Sequence, residues 1–293
     1  MDKPMDKPMD KPMDKPMDKP MDKPMDKPMD KPMDKPMDKP MDKTDSEQVS
    51  IAVSIHLFHL HLLDEFSTYV RQVREVFANV HAIVTVPEQP DSDKRQKIEA
   101  LITSKIPRAF VLQVKNRGVD IGAFFASYQF VRDRKLPVDF ILKIHSKISS
   151  ERWRRQLILP LVDKANLQLL KQRFSSGNRN RIGYAAARQF VINRTFDEKH
   201  HPNNFVGLDE VCRHFKFIRK KWTTFVGGTM FWINRSVLDA NLTPELMKFA
   251  ESRFYTGKPP SNLQAGVHME YVFERLLTGN FCSVLQNIRL NEH

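Results

Sequence analysis

Between residues 48 and 142 the chain repeats one pattern, and that repetition restricts the fold more than any other feature. A short apolar run rich in β-branched residues is followed by a stretch with apolar residues at helical spacing. The runs are QVSIAVSI (48–55), HAIVTV (81–86), RAFVLQV (108–114) and VDFIL (138–142). The intervening stretches are 57–77, with Leu62, Phe66, Tyr69, Val70, Val73, Val76 and Phe77 in phase; 94–104, with Ile98, Leu101 and Ile102 in phase; and 123–132. Period-2 and period-3.6 segments in alternation predict parallel strands joined by crossover helices. The expected class is α/β: a doubly wound, mainly parallel sheet with flanking helices. Further on, helices are predicted over 151–162 and 164–174, a fifth strand over 182–186 and a short basic helix over 211–220. FVGGTMFWIN (225–234) reads as apolar and β-rich, and GVHMEYVFERLL (266–277) as a helix.

The amino-terminal end is of another kind. MDKP recurs ten times and is followed by MDK. Such a segment has too little apolar surface to offset its ordering entropy, so 1–45 is expected to be a disordered or extended tract. Residues 46–293 are expected to form one domain. Asp and Lys balance within residues 1–43, so the net charge of +12 belongs to residues 44–293. That leaves ~250 residues, enough for one large α/β core. The positive surplus favours anionic partners: nucleotides, nucleic acid or an acidic membrane surface. No apolar h-region follows the start and no run approaches the ~18 apolar residues of a spanning helix. The two cysteines, Cys212 and Cys282, make no disulfide framework. A cytoplasmic setting is the expectation.

Ligands of open α/β sheets gather beyond the carboxyl ends of the strands. At the end of the fourth run the chain turns basic, with Lys143, His145 and Lys147. Alternation along an extended segment puts the three on one face. They would suit an anion such as a diphosphate. The loop after the third run, Asn116-Arg117-Gly118-Val119-Asp120-Ile121-Gly122, opens the next helix. Glycines there admit a ligand to the backbone, and free N–H groups at a helix start favour anions. The spacing is not the dinucleotide fingerprint GxGxxG.

NRGVDIG, ILKIHSK with Trp153-Arg154 nearby, GGTMFWINRSVL and a late FERLL follow one another in this order. The series resembles the rhamnan synthesis protein F family, glycosyltransferases of bacterial and viral polysaccharide assembly, over roughly residues 50–290. The resemblance implies a GT-A-like fold and transfer of a sugar, often a deoxyhexose such as rhamnose, onto a growing glycan. It implies donor-binding roles for Asn116, Arg117, Gly118, Asp120 and Gly122, for Lys143, His145 and Lys147, and for Gly228 and Thr229. Glu274 and Arg275 match the family's terminal glutamate-arginine pair. The family's histidine three residues before that glutamate is replaced by Tyr271, with His268 one turn earlier.

Many GT-A enzymes hold a divalent ion with an Asp-x-Asp pair after the fourth strand. Here that position carries Lys-x-His-x-Lys. Lysines do not ligate Mg²⁺ or Mn²⁺, so no cofactor is expected, and a divalent ion is the alternative that a chelator decides. Glu274, Glu270, His268 and Asp120 are the candidate bases for the acceptor hydroxyl. The expected partners are a nucleotide-sugar donor and a glycan or glycolipid acceptor, with a peripheral membrane contact but no nucleic acid. Two other functions compete. A nucleic-acid-binding protein would use Arg179, Arg181, Arg219, Lys220 and Lys221, and would show salt-dependent binding of DNA or RNA. An inactive transferase-like interaction protein would bind donor without turnover. His56, His59 and His61 cross from strand to helix and are not expected to converge on a metal.

Overall fold

The computed structural model describes residues 48–217, 222–257 and 267–291, all within the unit Thr44–His293. The expected disordered tract, 1–45, lies outside the described residues, as do 218–221.

The alternating half is built as the periodicity predicts. It runs β1 Ser50–His56, α1 Leu63–Val76, β2 Asn79–Pro87, α2 Ser92–Lys105, β3 Phe110–Val114, α3 Val119–Asp133 and β4 Phe140–His145. These four strands are parallel, in the order β3-β2-β1-β4. Residues 57–62, read as the start of the first helix, instead form a loop and a 3-10 turn at Leu60–Leu62. Helix α3 begins at Val119, not at 123, because Gly118 at φ 73° turns the chain directly into it. Strand β4 continues to His145 instead of ending at Leu142. Hydropathy ends the run at the first lysine, but the ladder to β1 carries on through Lys143↔Ser54 and His145↔His56.

The second half follows as α4 Glu151–Val162, α5 Lys164–Phe174, β5 Ile182–Ala187, β6 Val191–Asn193, α6 Arg194–His200 and α7 Pro202–His214. Then come β7 Thr224–Val226, β8 Phe231–Asn234, α8 Arg235–Asn241, α9 Pro244–Glu251, α10 Met269–Arg275, a π-helical turn Leu276–Asn280 and β9 Gln286–Leu290. The fifth strand and the helix pair α4–α5 match expectation. Asp163 joins that pair: its carboxylate accepts the backbone N–H groups of Ala165 and Asn166 at the start of α5. Of the short basic helix expected at 211–220, residues 211–214 form the end of the longer α7, and 218–220 lie outside the described residues. FVGGTMFWIN is divided by a turn at Gly227–Met230. β7 pairs with β6 in a small separate sheet, while β8 enters the main sheet antiparallel between β4 and β5.

Among the described residues the sheet has seven strands, mostly parallel, ordered β3-β2-β1-β4-β8-β5-β9. Strand parity divides the core. Ile51, Val53, Ile55, Phe140, Leu142 and Ile144 face α1, α4 and α5, and the Phe140 ring stacks on Phe174 at 3.6 Å. Ala52, Ile83, Ile141 and Ile233 face α3, α7 and α10. Lys143 and His145 share the parity of Ile141, so the fold aims both toward the start of α3. That places their polar ends where β1 and β4 stop.

Candidate active site

Asp120 sits in the first turn of α3, and Lys143 reaches it from β4. The ammonium donates to Asp120 Oδ2 at 2.5 Å and to the Thr229 carbonyl at 2.8 Å. The Thr229 hydroxyl donates to the same carboxylate oxygen. Lys143 is 2% exposed and the Asp120 side chain 15%. Burial alone would raise the Asp120 carboxyl, but the Lys143 charge and the hydrogen bonds outweigh it and hold it well below the usual carboxylate range. Burial pulls Lys143 down from the ordinary lysine value, against the attraction of Asp120.

His145 lies next along β4, its Nδ1 3.6 Å from Asp120 Oδ2 and without a hydrogen-bond partner. Burial lowers its pKa to about 3, with Asp120 opposing. His56, its register neighbour on β1, is lowered by burial to about 4 and has Nδ1 3.0 Å from the Thr85 hydroxyl. Both imidazoles are therefore neutral at neutral pH.

Above this floor opens a cavity of about 620 Å³. Asn116, Val119 and Asp120 line it from the start of α3, His56 and His145 from the strand ends, and Lys147 from the segment after β4. Phe58, His59, Ser146, Ile148, Ser149 and Gly257 complete the lining. Lys147 is placed from behind. Buried Arg154 donates to its carbonyl at 2.7 Å and grips Glu65 through two further bonds of 3.0 and 2.8 Å. The Lys147 ammonium stands 4.1 Å over the Trp153 ring.

Three cations were expected at the strand end. Lys143 is instead buried behind Asp120, and His145 is neutral. Among the lining residues Lys147 carries the positive charge. His56, Phe58 and His59 are the functional candidates the sequence reading missed: the two histidines were weighed only as metal ligands and Phe58 not at all. His56 and His59 share the cavity wall. The signal was available in part, since His56 ends its strand as His145 does.

The glycines of the loop have a packing role. A Cβ on Gly118 would stand 2.4 Å from the Phe254 ring, and one on Gly122 would stand 2.0 Å from the Arg117 carbonyl oxygen. Arg117 turns away from the cavity, toward the carbonyls of Ser252 and Phe254. Gly118 N–H donates to the Tyr255 carbonyl, and Gly257 N–H donates to that of Asn116. Gly122→Ala is expected to lower stability by ~1–3 kcal/mol through forced backbone movement, read from the midpoint of urea unfolding.

His268, Glu270 and Glu274 do not line this cavity. Glu274 Oε1 accepts the Gly228 N–H at 2.6 Å, and Oε2 accepts from Arg275 at 2.5 Å. Burial raises its carboxyl, with Arg275 opposing. Glu270 Oε1 accepts the Tyr255 N–H at 2.7 Å, while its Oε2 and both ring nitrogens of buried His268 have no hydrogen-bond partner among the described residues. Gly228 itself, at φ 81°, faces Leu157. Met230, Phe231 and Trp232 are core.

No curated protein sequence matches the chain. Among solved structures, the mannosyltransferase Ktr4p from S. cerevisiae in complex with GDP aligns at 10% identity and a TM-score of 0.33, covering 80% of this chain and 66% of that one. A second structure of Ktr4p aligns at 11% identity and 0.34, with the same coverage. At that similarity the comparison bears on neither substrate nor mechanism. The profile of the rhamnan synthesis protein F family matches residues 12–276, a span that starts inside the MDKP tract and takes in the whole cavity lining. The chain belongs to the rhamnan synthesis protein F family.

Proposed function

We propose that this chain is a GT-A-like glycosyltransferase that moves a sugar from a nucleotide-sugar donor to a hydroxyl of a glycan or glycolipid. A deoxyhexose such as rhamnose is the sugar that the family's name suggests. The observation that carries the reading is the cavity at the carboxyl ends of β1 and β4. It brings Lys147 and the start of α3 to one opening.

The donor diphosphate would lie between the Lys147 ammonium and the first turn of α3, whose leading N–H groups have no partners within the helix. Charge builds on the diphosphate as its bond to the anomeric carbon breaks. A cation held in place beforehand stabilises that charge without reorganising. Arg154 and Trp153 hold Lys147 there. Lys143 would act one step back, fixing Asp120. His56 and His145, being neutral, would serve as hydrogen-bonding groups. The proton of the attacking hydroxyl needs an acceptor within reach. Of the groups in the cavity wall, the His59 imidazole fits that task by position, whereas Asp120, held low by Lys143 and already bonded to two donors, is a weak base. His268, Glu270 and Glu274 would instead support the walls.

A divalent ion does not fit this donor set. Asp120 is the carboxylate in the wall, and its Oδ2 already holds an ammonium and a hydroxyl. Among the described residues no three His, Cys, Asp or Glu side chains are arranged to hold a metal.

Lys147→Ala is expected to cut turnover by roughly 10²–10³-fold, with EDTA leaving the native enzyme unaffected. Donor binding should stay level between about pH 5 and 8, because neither strand-end imidazole titrates there. The measurements are a thermal-shift panel of UDP, GDP and dTDP sugars, then release of nucleoside diphosphate. Loss of turnover in EDTA with recovery in Mn²⁺ would remove the metal-free chemistry. Binding without turnover would favour the inactive interaction protein.

A further inference from the structure

Most large apolar side chains of this domain are inside, but three that are not lie together at the cavity mouth. Phe58 is 42% exposed, Ile148 55% and Trp153 39%. Phe58 and Ile148 line the opening, and Trp153 joins them through the Lys147 ammonium that rests over its ring. Isolated exposed apolar residues are ordinary, but a contiguous group rimmed by charge marks a contact surface. The rim here is basic. Beside Lys147, α4 begins with Arg152 and Arg155, both exposed, which line a second open cavity of about 670 Å³ with Leu159, itself 38% exposed. Glu151 and Asp163 also line it, and Glu151 pairs with Arg155 at 3.6 Å, so the positive charge within that cavity is offset while Arg152 and Arg155 stay exposed at the start of α4.

We propose that this face docks on an anionic membrane surface. Phe58, Ile148 and Trp153 enter the interfacial layer, and Arg152 and Arg155 meet the headgroups. The chemistry is specific to an interface: aromatic and aliphatic groups take the apolar boundary while adjacent cations meet negative headgroups. A soluble polyanion would use the cations but leave the three apolar groups in water. The proposal rests on the transferase reading only for its purpose. With the mouth against the bilayer, a lipid-linked acceptor would reach the donor without leaving the membrane.

The test uses the chain's own fluorescence. It has three tryptophans, and Trp222 and Trp232 are buried, so the exposed Trp153 reports the surface. The full chain is mixed with vesicles of phosphatidylcholine alone, or of phosphatidylcholine with phosphatidylglycerol, each with and without brominated acyl chains. Expected are co-sedimentation with the anionic vesicles and bromine quenching that Trp153→Phe abolishes. Arg152→Glu with Arg155→Glu should weaken vesicle binding about thirtyfold or more, as ~1 kcal/mol per basic residue implies. The same variant should keep its thermal shift with nucleotide sugars, so a failed donor reading and a failed membrane reading give different results. Sedimentation without quenching, equal binding by the charge-reversed variant, or binding of a soluble acidic polysaccharide but not of vesicles would each overturn the proposal.

Discussion

Replacing Lys143 with methionine is expected to destabilise the domain by ~3 kcal/mol and to abolish turnover. The lysine is buried, and its ammonium carries the Asp120 carboxylate and the Thr229 carbonyl. Removing one member of a buried pair leaves the other charged and uncompensated, at ~3–5 kcal/mol. The low end applies because Asp120 opens onto the cavity and water can reach it. The Asp120→Asn, Lys143→Met double variant should be more stable than the two single losses added together, which is the sign of direct coupling. Acid gives a second readout. Asp120 has its folded pKa depressed, so it contributes stability above its unfolded value, near pH 4, and loses that contribution as pH falls further. The native chain should therefore weaken below about pH 4, and the methionine variant should show a shallower fall there. Urea midpoints across pH measure both. A variant as stable as the native chain would mean that Asp120 is not held by this contact.

The larger loss is expected at Arg275. Its guanidinium makes a two-bond fork to Asp197, 2.8 Å on each side, and reaches Glu274 Oε2 at 2.5 Å and the Tyr271 carbonyl at 2.9 Å. It lies 4.6 Å over the Phe225 ring and is 4% exposed. Arg275→Leu would bury two carboxylates with no cation between them. The cost should reach ~5 kcal/mol, comparable with the whole stability of many domains. Arg275→Lys keeps the charge but not the planar fork, and should fall between. The pH dependence runs opposite to that of Lys143. Burial already raises the Glu274 carboxyl, and without Arg275 its largest opponent is gone, leaving the Gly228 N–H to oppose it. A carboxyl with a raised folded pKa favours folding when protonated and loses that advantage as pH rises through the folded value. The leucine variant should therefore be least impaired near pH 5. Unfolding curves at pH 5 and 8 decide this; a deficit that grows in acid would contradict it.

The parallel half of the sheet was legible because each strand is a buried apolar run and each helix shows one apolar face. Strand β9, QNIRL, was not. It lies at the sheet edge with Gln286, Asn287 and Arg289 exposed, so its hydropathy resembles a loop. The direction of β8 was also hidden, since FWIN is as apolar antiparallel as parallel. At the site, the basic residues after the fourth run and the loop at Asn116 were found together because both lie at strand ends. The state of Lys143 could not be seen. A lysine after an apolar run reads as the edge of the core, and only a contact with Asp120 in another element makes it interior. His145 was read as charged for the same reason: burial, not residue type, sets its state.

Strand β8 runs against its neighbours, and this affects how freely the family can vary. The parallel strands reach the rim of the candidate site as they finish. β8 reaches it as it begins, carrying Thr229 to Asp120. The chain thus departs from the rim at His145 and returns to the same rim at Thr229. The excursion between them has its two ends pinned side by side. Loops within it can lengthen or shorten while both attachment points stay put, which gives evolution room to reshape what is recognised without disturbing what reacts.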